Sequence, residues 1–102
     1  MNYFLVLLSD VADVPPRESD SHERFIDSLI ARNAVLLGGG FASSVGGSSA
    51  GYVLVAKDID EAEALAREDP LVEHGIATYE ITEWRLVGIN TAAIDPDLAL
   101  SP

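Results

Sequence analysis

At 102 residues the chain is long enough for one domain with a real core, and 48% hydrophobic against 23% charged is ordinary globular composition. Six Lys and Arg against 17 Asp and Glu give a net charge of −11, which argues against a nucleic-acid backbone as partner and favours a solvated, solubilising surface. The absence of cysteine excludes disulfides, thiolate metal sites and thiol catalysis, and fits a reducing, cytoplasmic setting.

Tyr3 to Leu8 is a continuous apolar run rich in β-formers, as expected of a strand buried on both faces. It is too short for a signal peptide or a membrane span. After Pro15 and Pro16, Asp20 and Glu23 have capping-box spacing, and Phe25, Ile26, Leu29 and Ile30 recur as one apolar stripe. The pattern predicts a first helix from about Ser19 to Asn33. Ala34 to Leu37 reads as a second strand ending at Gly38-Gly39-Gly40. The Gly- and Ser-rich stretch from Ala42 to Gly51 is expected to be a long mobile loop, overhanging any pocket at that end.

Tyr52 to Ala56 is a third strand, again apolar on both faces. Asp58, with Glu61 three residues on, caps a second helix carrying Ile59, Ala62, Leu65 and Ala66. Pro70 ends it at Asp69. Ile76 to Val87 is the last strand, with a slip in alternation between Ile81 and Trp84 that suggests a bulge or a change of packing partner.

The order β-α-β-β-α-β is most economically an α+β, ferredoxin-like four-stranded antiparallel sheet with both helices on one face. Strands apolar on both sides then need a second cover. A homodimer formed through the open sheet faces is the simplest one.

Tracing strand directions collects the end of strand one, the start of helix one, the triple glycine and the end of helix two at one end of the molecule. His22 and Asp69 meet there by topology alone. Near a helix N-terminus, neutral imidazole is favoured and can accept a proton, so His22 is the candidate general base and Asp69 its orienting partner. Each has a plainer use: His22 as a partly buried histidine bonded to backbone, Asp69 as the cap of one short turn starting at Pro70. His74 reads as a surface histidine without a partner. Ser9, Gly38, Gly39 and Phe41 are the candidate substrate contacts, with backbone donors near Gly38 available for a developing oxyanion. Gly38 to Ser43 does not fit a nucleotide-binding glycine loop, and two histidines without metal-site spacing argue against a metal.

The segments Ser21-His22-Glu23-Arg24, Leu37-Gly38-Gly39-Gly40 and Asp69-Pro70-Leu71-Val72 followed by Gly75 resemble the YciI-like, or YCII-related, proteins. The resemblance runs from the first strand to about Val87. It implies a domain over residues 1–88 built as the subunit of a dimeric α/β-barrel, and a tail over 89–102 that is flexible or packed across the dimer. It also implies that His22 and Asp69 occupy the family's catalytic positions, with no cofactor. Related members include a dehydrochlorinase of a chlorinated hydroxyquinol, and barrel cousins include muconolactone isomerases and cofactor-free monooxygenases. The enzyme expected is a small lyase or isomerase moving a proton on a cyclic or aromatic substrate. The alternative is a homodimer that binds a small molecule without turning it over.

Overall fold

The computed structural model describes residues 1–98. Four strands, β1 (Asn2–Asp10), β2 (Val35–Val45), β3 (Ser48–Ala56) and β4 (Ala77–Glu83), form one sheet in the order β2-β3-β1-β4. Every neighbouring pair is antiparallel. Helices α1 (Pro16–Ala31) and α2 (Ile59–Arg67), with a single turn α3 (Pro70–Glu73), complete the domain. This is the ferredoxin-like α+β arrangement.

The core lies between sheet and helices. Phe4, Val6 and Leu8 of β1 and Tyr52 and Leu54 of β3 turn the same way and pack on Leu29 of α1 and Ala62, Leu65 and Ala66 of α2. The alanines bring α2 close to the sheet. On the opposite face Leu5 and Leu7 are half-buried, while Leu37 and Trp84 are 60% and 48% exposed.

Four local expectations are corrected. Helix α1 begins at Pro16, not Ser19, and Asp20 and Glu23 are not its capping pair: Pro15 occupies the cap position without a side-chain hydrogen bond. A proline suits the first helical position because its fixed φ is already helical and its missing N–H has no partner to lose. His22 therefore stands in the second turn, past the terminal amides whose dipole was expected to act on it. Second, Ala42 to Gly51 is not a mobile loop over a pocket. It is the far half of a β2–β3 hairpin that turns at Gly46-Gly47, where both φ values are positive (58° and 87°). Two consecutive left-handed residues make the primed turn whose twist suits a hairpin, and glycine adopts it without a Cβ penalty. The Ser and Gly content that reads as loop is here strand and turn.

Third, α2 ends at Arg67, and Asp69 starts the separate turn α3 rather than closing α2. Fourth, β4 stops at Glu83 with unbroken register against β1, so the slip at Trp84 is the end of the strand and not a bulge. The register break lies instead in β2, between Val35 and Leu37 and again between Gly40 and Val45. The C-terminal segment carries a short 3₁₀ turn at Thr91–Ala93 capped by Asn90. The last part of the expected tail, 99–102, lies outside the described residues.

Just beyond helix α1, Asn33 takes left-handed geometry (φ 57°), which lets the Ala34 N–H reach back 2.8 Å to the Leu29 carbonyl. The other end of α1 is tied to α3 by His74, whose Nδ1 lies 2.8 Å from Glu18 Oε2, so His74 does have a partner.

Two expected outcomes follow from this packing. A Cβ on Gly38 would stand 2.7 Å from the Tyr52 Cβ across the hairpin. Gly38→Ala should therefore destabilise by about 1–3 kcal/mol in chemical denaturation, the usual cost of overpacking. The hydrogen bond that His74 donates to Glu18, reinforced by the carboxylate's charge, raises the His74 pKa above its ordinary 6.5. A raised histidine pKa contributes stability that is fully present below pH 6.5 and is lost as pH rises through the folded value. Thermal melts of Glu18→Gln should lie slightly below wild type at pH 6 and converge with it under alkaline conditions.

Candidate active site

Asp69 is fully buried, and its burial has a local cause. Pro70 takes the first position of α3, and the Asp69 side chain caps that turn by accepting the Leu71 N–H at 3.0 Å through Oδ1. The carboxylate then faces α1. His22 Nδ1 stands 3.0 Å from Oδ1 and 2.9 Å from Oδ2. A carboxylate that already accepts from Leu71 can only accept from the ring, so Nδ1 carries the proton and donates. The imidazole is thereby oriented, and Nε2 is the ring nitrogen that Asp69 does not engage. The His22 side chain keeps 21% of its surface exposed. A cap and an ion-pair partner are thus the same carboxylate.

His22 opens onto a cleft of about 420 Å³. One wall is α1, with His22, Glu23, Ile26 and Asp27; the other is the β2–β3 hairpin, with Gly38–Gly40 and Ala50–Tyr52. Because Gly38 has no side chain, the helix-facing surface of the sheet is bare backbone beside Tyr52. On the other side of the hairpin, an apolar trough of about 270 Å³ is lined by Leu5, Leu37, Phe41, Val53 and Trp84, together with Gly38–Gly40, Gly51 and Tyr52. Cleft and trough share the glycine strip.

Of the six residues expected to form a site, four line or enclose the cleft: His22, Gly38 and Gly39 in its walls, and Asp69 behind His22. Phe41 lines the trough instead. Ser9 is not part of the cleft wall and faces Ser48, their hydroxyls 3.2 Å apart. Among the described residues no three His, Asp or Glu side chains are grouped as a metal site would need.

Three polar cleft residues were not singled out for the site. Tyr52 is 3% exposed, and its hydroxyl is the buried side-chain polar atom, among the described residues, with no hydrogen-bond partner. Burial first, and then the Asp69 carboxylate, hold the Tyr52 phenol well above the usual phenol range, so it is a neutral O–H group. A tyrosine opening an otherwise aliphatic strand, Tyr52-Val-Leu-Val, was the available signal. Glu23 was expected only as the capping partner of Asp20, and Asp27 carried no signal of its own, yet they lie one turn apart on the edge of α1 that carries His22.

The YCII-related domain family matches this chain over residues 4–85. A curated relative, the uncharacterized protein YjpA of Bacillus subtilis (strain 168), is 35% identical over 65 residues, covering 64% of this chain and 73% of the relative. Among solved structures the fold is similar to 5-chloro-2-hydroxyhydroquinone dehydrochlorinase (TftG) from Burkholderia phenoliruptrix AC1100, in complex with 2,5-dihydroxybenzoquinone. That likeness has a TM-score of 0.62 at 18% identity, over 81% of this chain and 93% of that one. With its domain matched from the first strand to just past the fourth, the chain belongs to the YCII-related domain family.

Proposed function

We propose that this protein is a cofactor-independent lyase or isomerase in which His22 moves a proton on a small cyclic or aromatic substrate. The observation that carries this reading is the contact between His22 Nδ1 and the buried Asp69 carboxylate, made by a histidine that lines a cleft of ligand size. Nε2 takes a proton from the substrate, and Asp69 stabilises the imidazolium that forms. The electron pair left on the substrate either expels a leaving group or shifts, and the proton is returned at a second atom. Negative charge developing on a substrate oxygen meets the bare peptide groups of Gly38–Gly40. The dehydrochlorinase activity named for the structural neighbour is one reaction of this form.

The acting unit in this proposal is a homodimer built through the open sheet faces. Half-buried Leu5 and Leu7 and exposed Leu37, Phe41 and Trp84 give that face an apolar surface in want of cover. The exposed Val87, Ile89 and Ile94 beyond β4 support a tail that packs across such a partner. No helix among the described residues is long and apolar enough to cross a membrane.

The proton-transfer reading is tested with a panel of chlorinated and unchlorinated hydroxyquinols, followed by chloride release and by solvent-deuterium uptake. His22→Ala should lower turnover by about 10²–10⁴-fold, the usual contribution of a general base, with the fold intact. Asp69→Asn should cost less, and the double variant little more than His22→Ala, since an orienting group matters little without its histidine. Full turnover in His22→Ala would defeat the reading. If Asp69 serves only as a cap, Asp69→Asn is nearly silent, because Asn caps about as well.

Light scattering at micromolar concentration should report about twice 10.9 kDa, and Leu37→Asp should shift the protein toward monomer. A compact wild-type monomer would overturn the sheet-to-sheet assembly.

A further inference from the structure

We propose that the His22 cleft admits uncharged ligands and turns away carboxylates and phosphates, with Glu23 and Asp27 as the residues that set this rule. The inference rests on the cleft being the ligand site described above and adds the charge class of what enters it.

Glu23 and Asp27 stand one turn apart on the α1 wall, both exposed, and neither has an ion-pair partner among the described residues. The Asp69 carboxylate sits behind His22 at the inner end. Among the described residues no lysine or arginine lines the cleft. An entering anion therefore meets carboxylates of its own sign in a partly desolvated recess, with no cation to offset them.

The same groups suit a neutral, hydroxylated ring. Carboxylates accept strong hydrogen bonds from hydroxyl donors, and Glu23 and Asp27 provide such acceptors along one edge. Ile26 and the glycine strip offer an apolar and flat surface for the ring itself. The orphaned Tyr52 hydroxyl, neutral and buried in the adjoining sheet, adds a polar group without adding charge. Small phenols and quinols fit this description; carboxylated lactones and phosphorylated sugars do not.

The charge rule can be read at His22 without knowing the substrate. With no cysteine in the chain, the neutral reagent iodoacetamide and the anionic iodoacetate can be compared directly on the imidazole, by mass spectrometry of the His22 peptide. Rates are normalised to those of N-acetylhistidine, and His74 in the same digest reports the field of the rest of the molecule. We expect a preference for iodoacetamide of about fivefold or more at His22, as like-charge repulsion in a recess implies. In the Glu23→Gln/Asp27→Asn variant it should fall to within about twofold of unity while the His74 ratio stays unchanged. Equal normalised rates in wild type, or a preference that survives in the variant, would overturn the proposal.

A second arm follows the His22 ring resonances during titration with hydroquinone and with 2,5-dihydroxybenzoate, which differ by one carboxylate. Hydroquinone should bind at least about tenfold more tightly. Equal affinity would also overturn the charge rule. Failure of hydroquinone to shift His22, with the reagents still discriminating, would instead sink the aromatic-substrate reading and leave the charge rule standing.

Discussion

Asp69 is the constraint on which the rest of the site depends. A carboxylate withdrawn from water is costly unless its oxygens are satisfied, and here both are. Leu71 N–H and His22 Nδ1 supply the bonds, one from the turn that Asp69 itself starts and one from a helix 47 residues earlier. The carboxylate therefore joins α3 to α1, and orienting the histidine is a by-product of making the fold. Glu18 and His74 form a second contact between the same two elements with the polarity reversed, the acid on α1 and the histidine past α3. The two contacts differ in kind. The outer one is exposed and worth little, whereas the inner one is shielded and fixes geometry.

The β2–β3 hairpin contributes the opposite quality, a wall with almost no side chains. Gly38 is required by its neighbour, since any Cβ there would collide with Tyr52. Gly51 is similarly hemmed in, with Phe41, the Val6 carbonyl and Leu7 all within 3.3 Å of where its Cβ would stand. These positions let two strands and the rings beside them pack closely, and they thin the sheet where cleft and trough adjoin. Rigid chemistry on the helical side thus faces smooth backbone on the sheet side.

Much of this was legible in the sequence, for identifiable reasons. Continuous apolar runs at Tyr3–Leu8 and Tyr52–Ala56 and the helical stripe from Phe25 to Ile30 carry a strong periodic signal, and the element order leaves one economical topology. The same topology put His22 and Asp69 at one end. The hairpin was not legible, because Gly and Ser are weak strand formers and the pairing with β3 that carries it, broken between Gly40 and Val45, is a long-range feature with no local signal. The start of α1 was misplaced because a plausible acid pair outweighed a proline that begins helices equally well. Tyr52 was missed for a different reason: an apolar strand residue and a buried hydroxyl without a partner look identical until the surroundings are known. Phe41 and Ser9 were assigned by proximity to strand ends, which does not tell one face of a sheet from the other.

Gly39 differs from its neighbours, because nothing lies within 4 Å of the position its Cβ would take. It pairs with Gly51 and so points to the open sheet face, where an added side chain displaces no atom of the fold and subtracts from the space of the trough. The depth of the trough is thus separable from the stability of the sheet, and it can be reduced one substituent at a time while His22 and Asp69 stay fixed on the other face. A scaffold of this kind can change what covers its open face without relearning how to fold.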